Sequence, residues 1–583
     1  GEGSSIIQER SHAFAMKSQV WLLDPRPHLP KVVELVEKAY ELSEASNTPV
    51  MMEFRIRACH VHGRFAAKDN RRPAVSKRDV MENPDFDYGR ICLPPATYAQ
   101  EKHKIEARKP AALKFIAEHK LNEYFSGANR DAGIIMQGGL YNSVIRALQQ
   151  LDLADAYGKS KIPLGVLNVT YPLVAEEIEA FCADKRAVLV VEEGQPAFLE
   201  EAIGAILRKA KLDTTLVGKS VLPEAGEYTA EVLLKGVAAF IEGAVPKGVD
   251  IGKIAEVPAA IAGIKEKASE ALGRPMPKRP PSFCTGCPER PVFTAIKLAE
   301  REVGRVHVAA DIGCHSFSTL PPFNIGNSIL GYGMGLASVA AVAPAMKRRS
   351  IAIMGDGGFW HNGLATGIGG ALFNQSDSVL VIMNNGYTSA TGQQYIPSTA
   401  PGGYKQPTGM SIRRALEGLG VKWLKTVTTY KVSRMVKTLK RALTTSQKGL
   451  KVIIADSECQ LARQRRIKPQ IRARLKEGGR VVRTRYGVDE DVCTGDHSCI
   501  RLSGCPSLTV RPNPDPLRTD PVAHVDQSCV GCGLCGEVAD AAILCPSFYR
   551  ASIVQNPNRW DRFLDRTRRS VIESLGGGDR RAA

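Results

Sequence analysis

The sequence predicts an α/β protein built on parallel sheets and followed by a small cysteine-rich module. Apolar runs of strand length alternate with helical segments of ~10–15 residues, first from Ala132 to about 215 and again over 281–460, which is the signature of βαβ units. Each run of the second stretch breaks on a glycine or a polar cluster, where open parallel sheets place their ligands. Seven of the 14 cysteines crowd into residues 493–545. At 583 residues the chain exceeds one core, given ~100–200 residues per domain. A composition of 44% hydrophobic and 24% charged residues excludes wholesale disorder.

Taken in order, residues 31–48 carry apolar positions at helical spacing, and 50–56 read as a short strand. They look like the close of an α/β unit whose beginning is missing. With Gly1 rather than Met at the front, N-terminal truncation is expected. Residues 66–125 are polar and proline-broken. From Ala132 the pattern is strand (AGIIMQGG), helix (YNSVIRALQQLDL), strand (LGVLNV), helix, strand (AVLVVEEG). Residues 216–280, rich in Ala, Gly, Pro and Lys, read as a linker. The next unit offers four buried strands: RVHVAADIG, SIAIMGDGG, SVLVIMNNG and KVIIADSE. The stretch Ser328 to Met346 contains a proline and reads as a buried helix, since a membrane span needs ~18 uninterrupted apolar residues. No signal peptide is recognisable, and one dense cysteine module in a long chain points to a reducing cytoplasm and a metal centre. His12, His28, His60 and His62 read as surface or locally satisfied. Glu192 and Glu193 are expected to cap a helix or face solvent.

The formal charge is +18. The excess is local: ten basic residues stand between Arg463 and Arg485 against the single acid Glu477, and an Arg-rich tail follows Arg559. Docking of an acidic partner or a solvated basic linker both explain it. Nucleic-acid binding does not fit, because the basic stretches lack interleaved aromatics.

Gly355-Asp356-Gly357 ends one apolar strand, and Asn384-Asn385-Gly386-Tyr387 ends the next after 26 intervening residues. Two strand ends thereby converge a carboxylate, an amide oxygen and a backbone carbonyl, a set that suits Mg²⁺ completed by phosphate and water. The flanking glycines let the backbone approach a diphosphate. Cys284-Thr285-Gly286-Cys287-Pro288 resembles a metal knuckle, and Asp311, Cys314 and His315 in DIGCHSF would be the further ligands of a zinc site.

Cys529, Cys532 and Cys535 are spaced as in a ferredoxin, with Cys545-Pro546 downstream; Cys493, Cys499 and Cys505-Pro506 stand upstream. In two-cluster ferredoxins the Cys of each Cys-Pro ligates the other cluster. That rule groups Cys505, Cys529, Cys532 and Cys535 on one [4Fe–4S] centre. Cys493, Cys499 and Cys545 begin a second that lacks its fourth thiolate, because Asp496 and His497 occupy its place. Asp or His ligation, a three-iron centre and a labile centre all remain open.

The GDG…NN pair closely resembles the thiamin diphosphate signature. The CxGCP and DIGC stretches resemble cofactor-pocket segments of thiamin-dependent 2-oxoacid:ferredoxin oxidoreductases. With the ferredoxin module last, the chain resembles the large subunits of indolepyruvate:ferredoxin oxidoreductases along nearly its whole length. The resemblance implies that 1–65 are the end of a pyrimidine-binding domain, 130–215 a transketolase C-terminal-like domain, and 281–460 the thiamin diphosphate-binding domain. It implies a ferredoxin-like domain at 486–550 and a basic tail at 551–583. Asp356, Asn385 and the Tyr387 carbonyl would hold Mg²⁺, and Cys284, Gly286, Cys287, Asp311, Gly313, Cys314, Gly355 and Gly357 would line the cofactor site. The catalytic Glu would lie in the missing N-terminal part.

The implied activity is oxidative decarboxylation of an arylpyruvate to an acyl-CoA, with electrons leaving through two iron–sulfur clusters to ferredoxin or another acceptor. The implied partner is a second, beta subunit in a hetero-oligomer. Pyruvate or other 2-oxoacids are the alternative substrates, and a non-oxidative thiamin decarboxylase the alternative class. Ala390 stands where pyruvate-using relatives typically carry Asn, which leaves room for an aromatic side chain whose burial yields ~1.5–3 kcal/mol.

Overall fold

In the computed structural model, which describes residues 10–56, 58–70, 88–273, 281–399 and 408–575, the chain forms two units, 1–277 and 278–583. The first unit begins with helix α1 (Ser11–Ser18) and strand β1 (Trp21–Leu23). The periodic segment 31–48 is helix α2 (Leu29–Ser46), which leads to β2 (Val50–Met52), parallel to β1. Leu35 and Leu42, seven residues apart and so on one helix face, are fully buried against Trp21, Leu23 and helix α3 (Lys109–Glu118).

A five-stranded sheet in the order β3 (Glu123–Phe125), β5 (Leu164–Leu167), β4 (Ala132–Gln137), β7 (Ala187–Val191), β8 (Thr215–Val217) follows, parallel except at the β3 edge. β6 (Val169–Tyr171) joins β1 instead. Alternate residues serve opposite faces. Ile134 and Met136 pack beneath α4 (Tyr141–Gln150), while Ile135 and Val190 pack beneath α5 (Ala175–Cys182) and α6 (Phe198–Ala210).

The part of the expected linker 216–280 that the structure describes, up to residue 273, is not a linker. Within it α7 (Ala230–Ala244) buries Leu233, Leu234, Val237, Phe240 and Ile241 in the sheet core, and α8 (Ile251–Leu272) packs on α7. Their small residues serve close packing: a Cβ on Gly236 would lie 2.2 Å from Leu222 Cδ2.

Arg55 sits inside this unit. Its Nη2 donates to Asp24 Oδ2 at 2.9 Å and its Nη1 to Glu193 Oε1 at 3.0 Å. Glu192 caps α6, accepting the Leu199 amide at 2.9 Å, and pairs with Arg10 at 2.8 Å. Neither glutamate faces solvent. His12 is buried too, not on the surface, and burial with the nearby Arg10 cation pushes its imidazole down to about 4. Arg55→Met is expected to destabilise this unit by about 3–5 kcal/mol, because it strands two buried carboxylates. Chemical denaturation of the variant checks this, and a loss below about 1 kcal/mol would mean the pair is dispensable.

The second unit opens with α9 (Arg290–Val303) and carries a six-stranded, wholly parallel sheet. Its order is β10 (Ser328–Ile329), β9 (Val308–Ala310), β11 (Ile351–Gly355), β12 (Val379–Asn384), β14 (Lys451–Asp456), β13 (Trp423–Thr428). All four strands expected here form. The segment 328–346 contains strand β10 and a short helix, α10 (Gly335–Val342). Ile351 and Ile353 face α9 and α11 (Val432–Thr444), while Ala352 and Met354 face α10.

The basic stretch is helix α12 (Gln460–Lys476) running into β15 (Val481–Val488), not a free linker. The cysteine module pairs β15 with β18 (Phe548–Gln555) and β16 (Leu508–Arg511) with β17 (Val522–Val525), both antiparallel, around α13 (Ser498–Ser503) and α14 (Leu534–Ile543). Residues 551–555 complete β18 and 559–574 form α15, so ordered elements occupy much of the region expected as a tail. Leu502, Leu534 and Val538 of the module join the core on the α9 face of the large sheet. Among the described residues no helix is long and apolar enough to cross a membrane.

Candidate active site

Parallel pairing of β11 and β12, with Gly355 opposite Met383, brings Asp356 and Asn385 out of the same sheet edge. The Asp356 carboxylate is held by main-chain amides alone: Oδ1 accepts from Gly357 at 2.9 Å, and Oδ2 from Asn385 at 2.9 Å and Gly386 at 2.6 Å. Ser389 Oγ donates to Asn385 Oδ1 at 2.8 Å and lies 3.3 Å from the Tyr387 carbonyl oxygen, so one hydroxyl gathers two of the three expected Mg²⁺ oxygens. Burial pushes the Asp356 carboxyl up to about 7 despite those amides. A buried carboxylate with that deficit of positive charge fits a divalent cation, which would remove the penalty. Gly357 must be glycine here, since a Cβ would lie 2.1 Å from Thr388 Oγ1 and 2.2 Å from Tyr332 Oη.

Two residues beside this cluster were not singled out as site members from the sequence. Glu289 is 3% exposed, and its Oε1 accepts from Asn385 Nδ2 at 3.2 Å. Burial and then the charge of Asp356 push its carboxyl up to about 8. Its Oε2 has no hydrogen-bond partner and lies 3.7 Å from His315 Nδ1, an imidazole that burial pushes down to about 4. The sequence motif offers His315 only as a zinc ligand. Asp311, at the end of β9, accepts the Gly333 and Ile312 amides at 2.8 Å, and burial pushes it up to about 6. It braces the loop under the Asp356 turn: a Cβ on Gly358 would meet its Oδ2 at 3.0 Å.

One cavity lies against this cluster. Cys284, Cys287, Cys314 and Cys459 line it, with Glu289, Asn385 and Ser389 on the polar side and Phe283, Phe317 and Leu461 on the apolar side. Burial is the main cause that raises the thiols of Cys284, Cys287 and Cys314. Cys459, which follows β14, went unnoticed in sequence because it stands alone, far from the other three. Among the described residues no three His, Cys, Asp or Glu side chains converge as a single ion requires, so the zinc knuckle is not formed. The four thiols instead border one cavity. Ala390 is exposed and does not line this cavity, so the room expected from it is not where the cavity is.

A second cavity is lined by Cys505, Cys529, Cys532 and Cys535, the four cysteines grouped by the ferredoxin spacing, together with Thr285 and Gly286. The loop 284–287 therefore borders both cavities. Arg290, fully buried, ties it down: its Nη2 donates to the Cys284 carbonyl at 2.9 Å and its Nη1 to the Ser503 carbonyl at 3.3 Å. Tyr430 Oη donates to the Gly286 carbonyl at 2.5 Å. Gly286 has φ of 75°, and a Cβ there would lie 2.4 Å from Val530 Cγ2. Cys493 and Cys499 are buried in the module core with Cys545 packed against it; burial, then the Cys545 and Cys493 thiols, pushes Cys499 up to about 12.

Residues 311–455 match the family of the thiamine pyrophosphate enzyme C-terminal TPP-binding domain, a span that holds both Asp356 and Asn385. By class the chain is a thiamin diphosphate-dependent oxidoreductase. It is similar over 93% of its length to indolepyruvate oxidoreductase subunit IorA of Methanothermobacter thermautotrophicus, at 28% identity and covering 79% of that protein. The Archaeoglobus fulgidus subunit is likewise 28% identical over 93% of the chain, and that of Pyrococcus abyssi 26% identical over 92%. The likeness drawn from the motifs to large subunits of this kind is borne out. A 2-oxoglutarate:ferredoxin oxidoreductase structure from Magnetococcus marinus is a distant likeness, at 20% identity, 32% of this chain, 66% of that one and a TM-score of 0.27.

Asp356→Ala is expected to abolish thiamin diphosphate and Mg²⁺ binding while leaving iron content unchanged, because the module's cysteines lie on other elements. Calorimetric titration beside iron analysis checks it; retained cofactor affinity would refute the metal-ligand role.

Proposed function

We propose that this chain is the thiamin diphosphate- and cluster-bearing subunit of an enzyme that oxidatively decarboxylates arylpyruvates to acyl-CoA. The observation that carries the redox reading is the loop 284–287, which borders both the cofactor-side cavity and the four-cysteine cavity. A non-oxidative decarboxylase would have no use for that junction. Thiamin diphosphate, when bound, supplies the electron sink that lets a 2-oxoacid lose CO₂.

The chain's own residues do the rest. Asp356, Asn385 and the Tyr387 carbonyl would hold Mg²⁺, and the glycines at 355 and 357 leave the backbone open to a diphosphate. Cys284, Gly286, Cys287, Asp311, Gly313 and Cys314 would surround the cofactor. Glu289 orients Asn385 through its Oε1. Phe283 and Phe317, 5.9 Å apart edge to face, exclude water and present an apolar wall suited to an aryl side chain.

Cys505, Cys529, Cys532 and Cys535 would carry a [4Fe–4S] centre, and Cys493, Cys499 and Cys545 a second centre. Cys284, Cys287, Cys314 and Cys459 are a complete thiolate set between the two regions. Coenzyme A would take the acyl group, ferredoxin the electrons, and a second subunit would complete the site. The exposed basic face of α12 supports an acidic carrier as acceptor. Fourteen free cysteines support a reducing, cytoplasmic setting.

With its partner subunit reconstituted, the chain is expected to show kcat/KM for indolepyruvate roughly ten- to a hundredfold above that for pyruvate, the value of burying an aromatic ring. An artificial electron acceptor makes the assay independent of ferredoxin. Equal efficiencies or a pyruvate preference would refute the aryl assignment.

A further inference from the structure

The position between Cys493 and Cys499 that a regular ferredoxin run fills with cysteine holds Asp496, and its side chain is already committed. Oδ1 accepts the Ser498 amide at 2.9 Å, closing an Asx turn, and Oδ2 accepts Arg501 Nη2 at 2.8 Å. This pair lies on the outside, with the Asp496 side chain 37% and the Arg501 side chain 60% exposed. His497, the other donor in the gap, stands at a left-handed φ of 57° with Nε2 2.9 Å from the Pro521 carbonyl oxygen. A ring nitrogen facing a carbonyl carries the proton, so Nε2 donates there, which fixes the ring against the start of β17 and leaves Nδ1 as its remaining lone pair.

The three thiols are placed differently. Cys493 and Cys499 are buried with Val488, Leu508, Val522 and Ala539, and Cys545 packs on the same core. Three thiols on one core, with both Asp496 oxygens engaged outward and the His497 ring anchored at Pro521, make a site with three thiolate corners.

We propose that Cys493, Cys499 and Cys545 hold a three-iron [3Fe–4S] centre, and that Arg501 withholds Asp496 from a fourth corner. The proposal rests on reading the module as an electron-transfer unit. Each iron takes one cysteine thiolate, so the ligand count closes without a fourth protein donor. Cluster type and net charge set the potential, so this centre would differ from its four-cysteine neighbour as an electron reservoir. Arg501 is a positioning residue: it pairs with Asp496 and acts through it.

The test uses the whole chain purified anaerobically, with electron paramagnetic resonance and iron analysis on the native protein, Asp496→Cys and Arg501→Gln. A three-iron centre is paramagnetic when oxidised, whereas a four-iron ferredoxin centre is paramagnetic when reduced. The native protein is expected to show an oxidised-state signal that dithionite removes. In Asp496→Cys that signal should vanish, with a gain in iron and a new reduced-state signal. In Arg501→Gln, added ferrous ion should diminish the oxidised-state signal as Asp496 becomes free to ligate. No oxidised-state signal in the native protein, with iron unchanged in Asp496→Cys, would overturn the proposal while leaving the module reading intact. Absence of iron and labile sulfide from both cysteine sets would overturn both.

Discussion

Much of the second unit depends on one buried guanidinium. Arg290 lies at the start of α9, inside the core, and donates to carbonyls on two different structures: the thiol loop at Cys284 and the module helix ending at Ser503. A carbonyl lone pair buried without a donor costs about 1–3 kcal/mol, and Arg290 satisfies one on each side of the junction. Thr294, one turn further along α9, repeats the tie through the Leu502 carbonyl at 2.6 Å. The separation between the cofactor-side cavity and the cysteine module is thereby set by a helix of the large sheet rather than by a flexible connection. Electron transfer over such a junction gains from a fixed geometry.

The electrostatics on the cofactor side run the opposite way. Asp356 and Glu289 are buried close together, both with raised carboxyls, and backbone amides supply what compensation Asp356 has. An arrangement that is costly when empty is one that a cation stabilises on binding. The sheet pays for this locally with the strong parallel pairing of β11 and β12, whose register runs unbroken from Ile351 to Gly355.

The parts of this site that were legible in the sequence were those where one polar residue interrupts an apolar strand. Asp356 and Asn385 stand out because buried parallel strands tolerate polar groups only at their ends. The ferredoxin spacing is likewise local, and Cys505 joined Cys529, Cys532 and Cys535 by rule. Long-range convergence was not legible. Cys459 follows its strand 172 positions after Cys287, and only sheet order brings them to one cavity. Glu289 was hidden beside a more conspicuous motif, and nothing in its neighbours marks it as buried. Residues 216–280 misled because Ala and Gly serve helix packing as readily as flexible linkers, and Gly236 against Leu222 is the packing case. Ala390 misled for a related reason: its neighbour Ser389 lines the cavity, but the turn directs Ala390 outward.

Leu502, Leu534 and Val538 belong to the same hydrophobic core as Val292, Ile353 and Met435. These two leucines and one valine sit on the short helices that carry Cys499 and Cys535. Folding of the thiamin-binding sheet is therefore finished by side chains from the cysteine module. In biosynthetic terms, the core of the sheet is completed only once the last part of the chain has been made and folded. A chain cut short before residue 498 would leave that face of the core, around Val292 and Ile353, open to water.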